Sequence, residues 1–323
     1  MTIVQSVRIS QIMSKNIKII YVPIELGAKY GGTDKAPGVF KKLGFEQTLQ
    51  GNGFVIEAQD IECKISNDLQ PEPVDRPYVA EIINISEQSA ALTKQAISDN
   101  QIVVAVGGDH TVDLGVFSGA SSALGSEDIG LIYIDAHGDM NTPASSTSHN
   151  VHGMHLAALL GHGTDDMINV CQPKVKLQSE NLLHIGASDL DQFEVDLMKS
   201  ENIPNYSVND ILMNGLAPLT KMIDDLASRA SSIWVSFDLD SIDQTLAPGV
   251  GIPNPGGLTY REIRLIASYV AARCNVVGID IVECNPPQDV DDKTVKLGIE
   301  IATTLLGGSS NQYSQYMNKI SAD

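Results

Sequence analysis

Long hydrophobic runs are missing from this 323-residue chain: no stretch reaches the roughly 18 apolar residues that a membrane-spanning helix needs. Basic residues are scarce. Lysine and arginine number 21 against 40 aspartates and glutamates, for a formal net charge of −19. That balance argues against a protein that grips nucleic acid or an anionic membrane, and it suits a cationic small molecule. Acidity also simply keeps a protein dissolved, so charge alone identifies no ligand. Cysteines are few and dispersed. Cys63, Cys171, Cys274 and Cys284 form no CxxC pair, which argues against a zinc knuckle or a disulfide framework and fits a reduced, cytoplasmic compartment. The first sixteen residues, MTIVQSVRISQIMSKN, lack the apolar core and small-residue cleavage site of a secretory signal. We read residues 1–16 as a mobile N-terminal extension, with Met13 as an alternative translation start. No repeat, low-complexity tract or linker divides the remainder, so residues 17–310 read as one domain and residues 311–323 as a polar C-terminal tail.

What the chain does have is an ordinary globular composition, 43% hydrophobic and 19% charged, with a regular alternation of elements. Short β-branched runs recur with helical stretches between them: IKIIYV at 17–22, QIVVAV at 101–106, GLIYI at 130–134, LLHIG at 182–186, SIWVSF at 232–237 and NVVGIDIV at 275–282. Unbroken apolar strands imply burial on both faces, hence a parallel sheet covered by helices. The fold class is α/β, a three-layer α/β/α unit with a mostly parallel central sheet. Thr259 and Glu262 form a capping box that opens the helix YREIRLIASYVAAR, and residues 78–99 read as a long helix. GNGF at 51–54 and APLT at 217–220 read as loops within the unit.

In such sheets the active site lies beyond the carboxyl ends of the strands. QIVVAV runs into GGDHT with His110, and GLIYI runs into DAHGD with Asp135, His137 and Asp139. SIWVSF runs into DLDSID with Asp238, Asp240 and Asp243, and NVVGIDIV runs into ECNPP with Glu283. Alternate residues of extended chain share a side, so each of the DxHxD and DxD runs converges on one point. A lone Asp after a strand is more often a helix cap. Three strand ends that together bring two imidazoles and four carboxylates are another matter, because a bound cation is the simplest way to keep such a cluster ionised. Six ligands exceed one tetrahedral site and suit two ions about 3.5–4 Å apart that share bridging carboxylates. Oxygen-rich ligation with two imidazoles favours manganese, with cobalt, nickel or zinc as alternatives.

GGDHT, DAHGD, SFDLDSID, APGVG followed by GGLTYRE, and DIVECNPP resemble, in order from about residue 17 to 307, the ureohydrolases and most closely bacterial-type arginases. DAHGDMNTPASSTSHNVHGM follows the arginase substrate loop without a gap. The resemblance implies two Mn(2+) per subunit and hydrolysis of the guanidino group of L-arginine to L-ornithine and urea by a metal-bridging hydroxide. It places one ion on His110, Asp135, Asp139 and Asp238, and the other on Asp135, His137, Asp238 and Asp240. It further implies that Asp139 orients the hydroxide, that Glu283 receives the guanidinium, and that His152 shuttles a proton to the leaving amine. Asn141, Ser148 and Asn150 match the residues that meet the α-carboxylate, and Asp191 matches the acid near the α-ammonium. Trimers or hexamers are the implied assembly.

Four positions depart from that pattern. Tyr30 and Gly31 stand where arginases commonly carry two arginines, and Ile252 replaces a threonine beside the guanidinium. His149 stands where glycine is usual, and Gln244 where proline is usual. The first three suggest an altered substrate choice, with His149 narrowing the pocket or competing as proton donor. Agmatine or guanidinobutyrate is therefore the alternative substrate. A zinc deacetylase, or a relative that has lost catalysis, fits less well because no ligand or shuttle residue is missing.

Overall fold

The computed structural model describes residues 16–63, 71–171 and 175–309. The N-terminal extension, its Met13 and the tail at 311–323 lie outside them, except that Asn16 already belongs to the first strand. The strands are β1 (Asn16–Val22), β2 (Val55–Asp60), β3 (Ile102–Gly107), β4 (Ile129–Ile134), β5 (Leu182–Ile185), β6 (Asn205–Tyr206), β7 (Ser232–Asp238) and β8 (Val276–Val282). They form one sheet in the order β2-β1-β3-β8-β7-β4-β5-β6, and every pairing is parallel.

The unbroken apolar runs are explained by the two layers of helices. Ile17, Ile19 and Tyr21 of β1 pack into one core and Ile20 and Val22 into the other; in β4, Ile132 and Ile134 likewise face one way and Leu131 and Tyr133 the other. Because both faces of each central strand are dry, alternation disappears from the sequence. The helix at Val79–Ser98 and its neighbour Val112–Leu124 cover one face, the helices Tyr260–Arg273 and Lys293–Leu305 the other. The capping box is in place, with the Thr259 hydroxyl accepting from Glu262 N and the Glu262 carboxylate accepting from Thr259 N.

Three features differ from the sequence reading. β2, VIEAQD, and the two-residue β6 form the sheet's edges. A largely exposed edge strand need not be apolar, so β2 gives little hydrophobic signal. APLT is not a loop: Ala217 opens the helix Ala217–Arg229, with Pro218 in its first turn, where a missing N–H costs nothing.

Candidate metal centre

Strand order decides where the site forms. β3, β8, β7 and β4 are consecutive neighbours in the sheet, so His110, Glu283, Asp238 and Asp135, each following one of these strands or ending it, emerge side by side. The spacing of two is held locally. Asp135 Oδ1 accepts from the His137 N–H at 2.7 Å, and Asp238 Oδ1 accepts from the Asp240 N–H at 2.7 Å. Each first aspartate therefore turns its own loop and leaves its second oxygen for the centre.

His110 is fully buried, with Nδ1 3.1 Å from Asp135 Oδ2, 3.2 Å from Asp139 Oδ2 and 3.1 Å from Asp238 Oδ2. His137 Nδ1 lies 3.1 Å from Asp240 Oδ2 and 3.5 Å from Asp135 Oδ1. Two ligand groups result, His110 with Asp135 and Asp238, and Asp135 with His137 and Asp240, each with its ligand atoms within 4.8 Å of one another and with Asp135 common to both. Asp139 joins His110 in a further group with His155.

Hydrogen-bond accounting fixes the His110 ring. Ser236 Oγ donates to Asp280 Oδ1 at 2.7 Å, so at 2.8 Å the same oxygen must accept from His110 Nε2–H. The Nδ1 lone pair then faces three carboxylate oxygens, an arrangement that calls for a positive charge between them. The titration tendencies agree. Burial opposes charging His110, yet Asp135, Asp139 and Asp238 raise its pKa well above the ordinary value. Burial also opposes ionised Asp135, but His110 and His137 hold it well below the usual carboxylate range. Asp238 is pushed well up by burial and by the charges of Asp240 and Asp135, and Asp240 goes to about 6, burial and Asp135 outweighing His137. Two imidazoles cannot compensate four buried carboxylates. Asp240 Oδ1 and Asp135 Oδ2 are buried without a hydrogen bond among the described residues. The donor set of imidazole nitrogen and unsatisfied carboxylate oxygen fits divalent ions.

Above the cluster opens a pocket of about 260 Å³, whose walls include His137, Asp139, Asp238 and Asp240 at the base and Asn141, Ser148, Asn150 and Asp191 toward the rim. A larger cavity, about 560 Å³, lies among Asn16, Asn100, Gln101 and Asn275 at the opposite end of the strands, away from the clustered ligands. His152 and Glu283 both face the smaller pocket. Glu283 Oε1 accepts from the His110 N–H at 2.8 Å and pairs with His152 Nδ1 at 2.9 Å. Burial disfavours the His152 imidazolium, but the Glu283 carboxylate more than offsets this and lifts its pKa to about 9. Asp139 and Glu283 both adopt left-handed backbone, φ 51° and 59°, a strained choice for residues with a Cβ and one that concentrates at functional sites.

At the rim, Asn141 Nδ2 donates to Asp191 Oδ2 at 2.7 Å, and Asp191 Oδ1 accepts from Glu194 N at 3.0 Å. Glu194 is a site residue that the sequence reading misses. Its carboxylate accepts from Met140 N and Asp191 N and is raised to about 7 by burial and the Asp139 charge, so it ties the rim to the base. The signal that could find it is the D-x-x-E spacing of Asp191 and Glu194, a capping box. Tyr133, Ser236, Asp280 and His155 are likewise missed, although Ser236 and Asp280 are register partners on adjacent strands.

Ile252 lines the pocket, whereas His149 is not among its lining residues. His149 instead has φ 57°, which is why glycine is the easier residue there. We expect His149→Gly to leave the ranking of substrates unchanged and to raise stability by roughly 1 kcal/mol, read as a higher midpoint of thermal unfolding. Tyr30 is exposed. Gln244 N donates to Asn254 O at 2.9 Å, a bond that proline could not make.

The family model described as "Arginase family" matches residues 15–307. The chain belongs to the arginase family. Among curated relatives of this arginase-family chain, the arginase of Brevibacillus brevis is 32% identical over 91% of this chain and 99% of its own length. The crystal structure of the arginase from Bacillus caldovelox superposes with a TM-score of 0.87 at 31% identity, covering 91% of this chain and 99% of that one. A formimidoylglutamase from Bacillus subtilis shares the fold at a TM-score of 0.73 and 22% identity, covering 91% and 87%, so the fold serves more than one substrate. Like its relatives named arginase, this arginase-family chain is a hydrolase acting on C–N bonds of linear amidines. Among the described residues, no helix is long and apolar enough to cross a membrane.

Proposed function

We propose that the enzyme hydrolyses L-arginine to L-ornithine and urea with two Mn(2+) per subunit. What supports this reading above all is the pairing of the ligand cluster at the pocket floor with an amino-acid-reading rim of Asn141, Ser148, Asn150 and Asp191. A substrate with no α-carboxylate has no use for such amides and hydroxyls. One ion would be held by His110, Asp135, Asp139 and Asp238 and the other by Asp135, His137, Asp238 and Asp240. When bound, the pair would supply a nucleophile at neutral pH by lowering the pKa of a water molecule.

The chain's own residues do the rest. Glu283 receives the guanidinium through a charge-assisted hydrogen bond, which brings its carbon over the cluster. Asp139 accepts a hydrogen bond from the attacking water and orients its oxygen, which bonds to the guanidinium carbon to give a tetrahedral intermediate as the water gives up a proton. His152, kept protonated at neutral pH by Glu283, donates from its ring to the departing amine nitrogen, and the C–N bond breaks with that proton in place. Ornithine and urea leave.

Residues 17–310 would act as one catalytic unit in the cytoplasm, as trimers or hexamers whose mass sedimentation measures. The test of substrate is urea release by manganese-loaded enzyme from L-arginine, agmatine and 4-guanidinobutyrate at matched concentrations. Preference for arginine is expected; preference for either of the others overturns the arginine reading and leaves a different ureohydrolase, the reading that Ile252 in the pocket wall favours. Ile252→Thr should lower the KM for arginine roughly threefold to tenfold, the worth of one new hydrogen bond.

A further inference from the structure

Beneath the pocket floor lies a histidine that this mechanism does not use. His155 opens the short helix His155–Leu159, MHLAALL in context, and is fully buried. Its Nδ1 lies 2.7 Å from the main-chain carbonyl oxygen of His152. A carbonyl only accepts, so the Nδ1 carries the proton and donates. The ring centroid lies 4.4 Å from that of His110, the two planes tilted by 31°, and its Nε2 sits 3.5 Å from the hydroxyl of Tyr133, which donates to Asp139 Oδ2 at 2.7 Å. The backbone repeats the connection: Leu156 N and Ala157 N donate to Asp139 O at 3.1 and 3.4 Å. The left-handed turn at Asp139 is thus held by the same short stretch that His155 ties to His152.

We propose that His155 is a positioning residue that fixes the backbone of His152, the proton donor, relative to Asp139 and His110 at the metal centre. This rests on the reading in which His152 protonates the leaving amine. His155 could be taken for a metal ligand instead, because it forms a ligand group with His110 and Asp139. The geometry opposes that. The nitrogen that approaches Asp139 Oδ2, at 3.8 Å, is Nδ1, and its lone pair is spent on the proton donated to His152. Nε2 points elsewhere, with Asp113 Oδ2 3.8 Å away.

The donor can be removed or kept. His155→Leu retains bulk without an N–H; His155→Asn places an amide N–H at the position of Nδ1. We expect the Leu variant to lose roughly tenfold to hundredfold in kcat, with KM within about twofold of wild type and manganese content unchanged, and the Asn variant to recover most of kcat. Equal kcat in wild type and a folded Leu variant overturns the proposal. So does activity lost in step with manganese and restored by excess manganese, which would make His155 a ligand. Should the Leu variant fail to fold, nitrogen NMR of the zinc-loaded wild type decides: an Nδ1–H tautomer for His155 supports the proposal, and an Nε2–H tautomer overturns it. The assays use whichever of the three guanidines wild type cleaves best. A wild-type preference against arginine therefore overturns the substrate reading alone, and the NMR result stands without turnover.

Discussion

Asp135→Asn and Asp238→Asn should each cost the enzyme its bound metal and nearly all its activity, while moving the stability of the metal-free protein in opposite directions. Both aspartates are buried at the junction of the two ligand groups or next to it. Removing one member of a buried charged set costs roughly 3–5 kcal/mol, so ion affinity and turnover should fall on the order of a thousandfold. The metal-free forms should then separate. Asp135 has its pKa depressed, against the effect of burial, by His110 and His137, so its charge stabilises the fold above the ordinary carboxylate range, and that stability is lost as pH falls through the depressed value. The Asp135→Asn protein forfeits this contribution at neutral pH, and its unfolding midpoint drops. Asp238 is the reverse case, its pKa raised by burial and by Asp240 and Asp135, so at neutral pH its ionised form is a burden that the neutral amide relieves. The chelated Asp238→Asn protein should melt higher than chelated wild type. Calorimetry of the two chelated variants, with metal content measured in parallel, checks this. A common direction of shift would contradict the charge distribution described above.

The second large effect concerns His152 and Glu283, which are bonded to each other at 2.9 Å. His152→Ala should keep its metal yet lose roughly a hundredfold to ten-thousandfold in kcat, the usual worth of a positioned general acid. Loss of metal from this variant would remove His152 from the shuttle role. In wild type the donor is charged below about pH 9, so kcat should hold through neutrality and fall as pH rises past that value. Glu283→Gln removes the carboxylate chiefly responsible for the shift, so the alkaline fall should move toward the ordinary histidine pKa of about 6.5. The same variant should retain its metal and, for the proposed substrate arginine, show a KM raised at least about tenfold, since a charged hydrogen bond to guanidinium is worth ~1.5–3 kcal/mol. pH profiles of kcat for the two proteins separate this account from one in which Glu283 only packs.

The central sheet and the ligand runs are legible in sequence because each depends on local pattern. Six strands are dry on both faces and so read as unbroken apolar runs, and His110, Asp135, Asp238 and Glu283 stand at or just beyond strand ends, where chain order alone puts them. β2 is not legible because an exposed edge carries no hydrophobic requirement, and β6 because two residues make no pattern. Pro218 misleads because proline punctuates loops and helix first turns alike. At the site, what stays hidden is what arises only from contact. Nothing in MHLAALL says that its histidine donates to the residue three earlier, and Tyr133 looks like any core aromatic until its hydroxyl is seen to meet Asp139. His149 passes for a pocket residue because sequence shows that glycine has been replaced but not that the replaced position has positive φ.

The order of strands also bears on how the enzyme comes into being. Glu283 closes onto the His110 N–H across 173 positions of chain, and β8 must insert between β3 and β7 before the three ligand-bearing ends can meet. Contacts of such separation form late, since the chain bears the entropy of closing the loop before the contact stabilises anything. A nascent chain that has not yet released β8 from the ribosome therefore has no centre to load, and uptake of a divalent metal during refolding becomes a clock for the moment at which the middle of the sheet is complete.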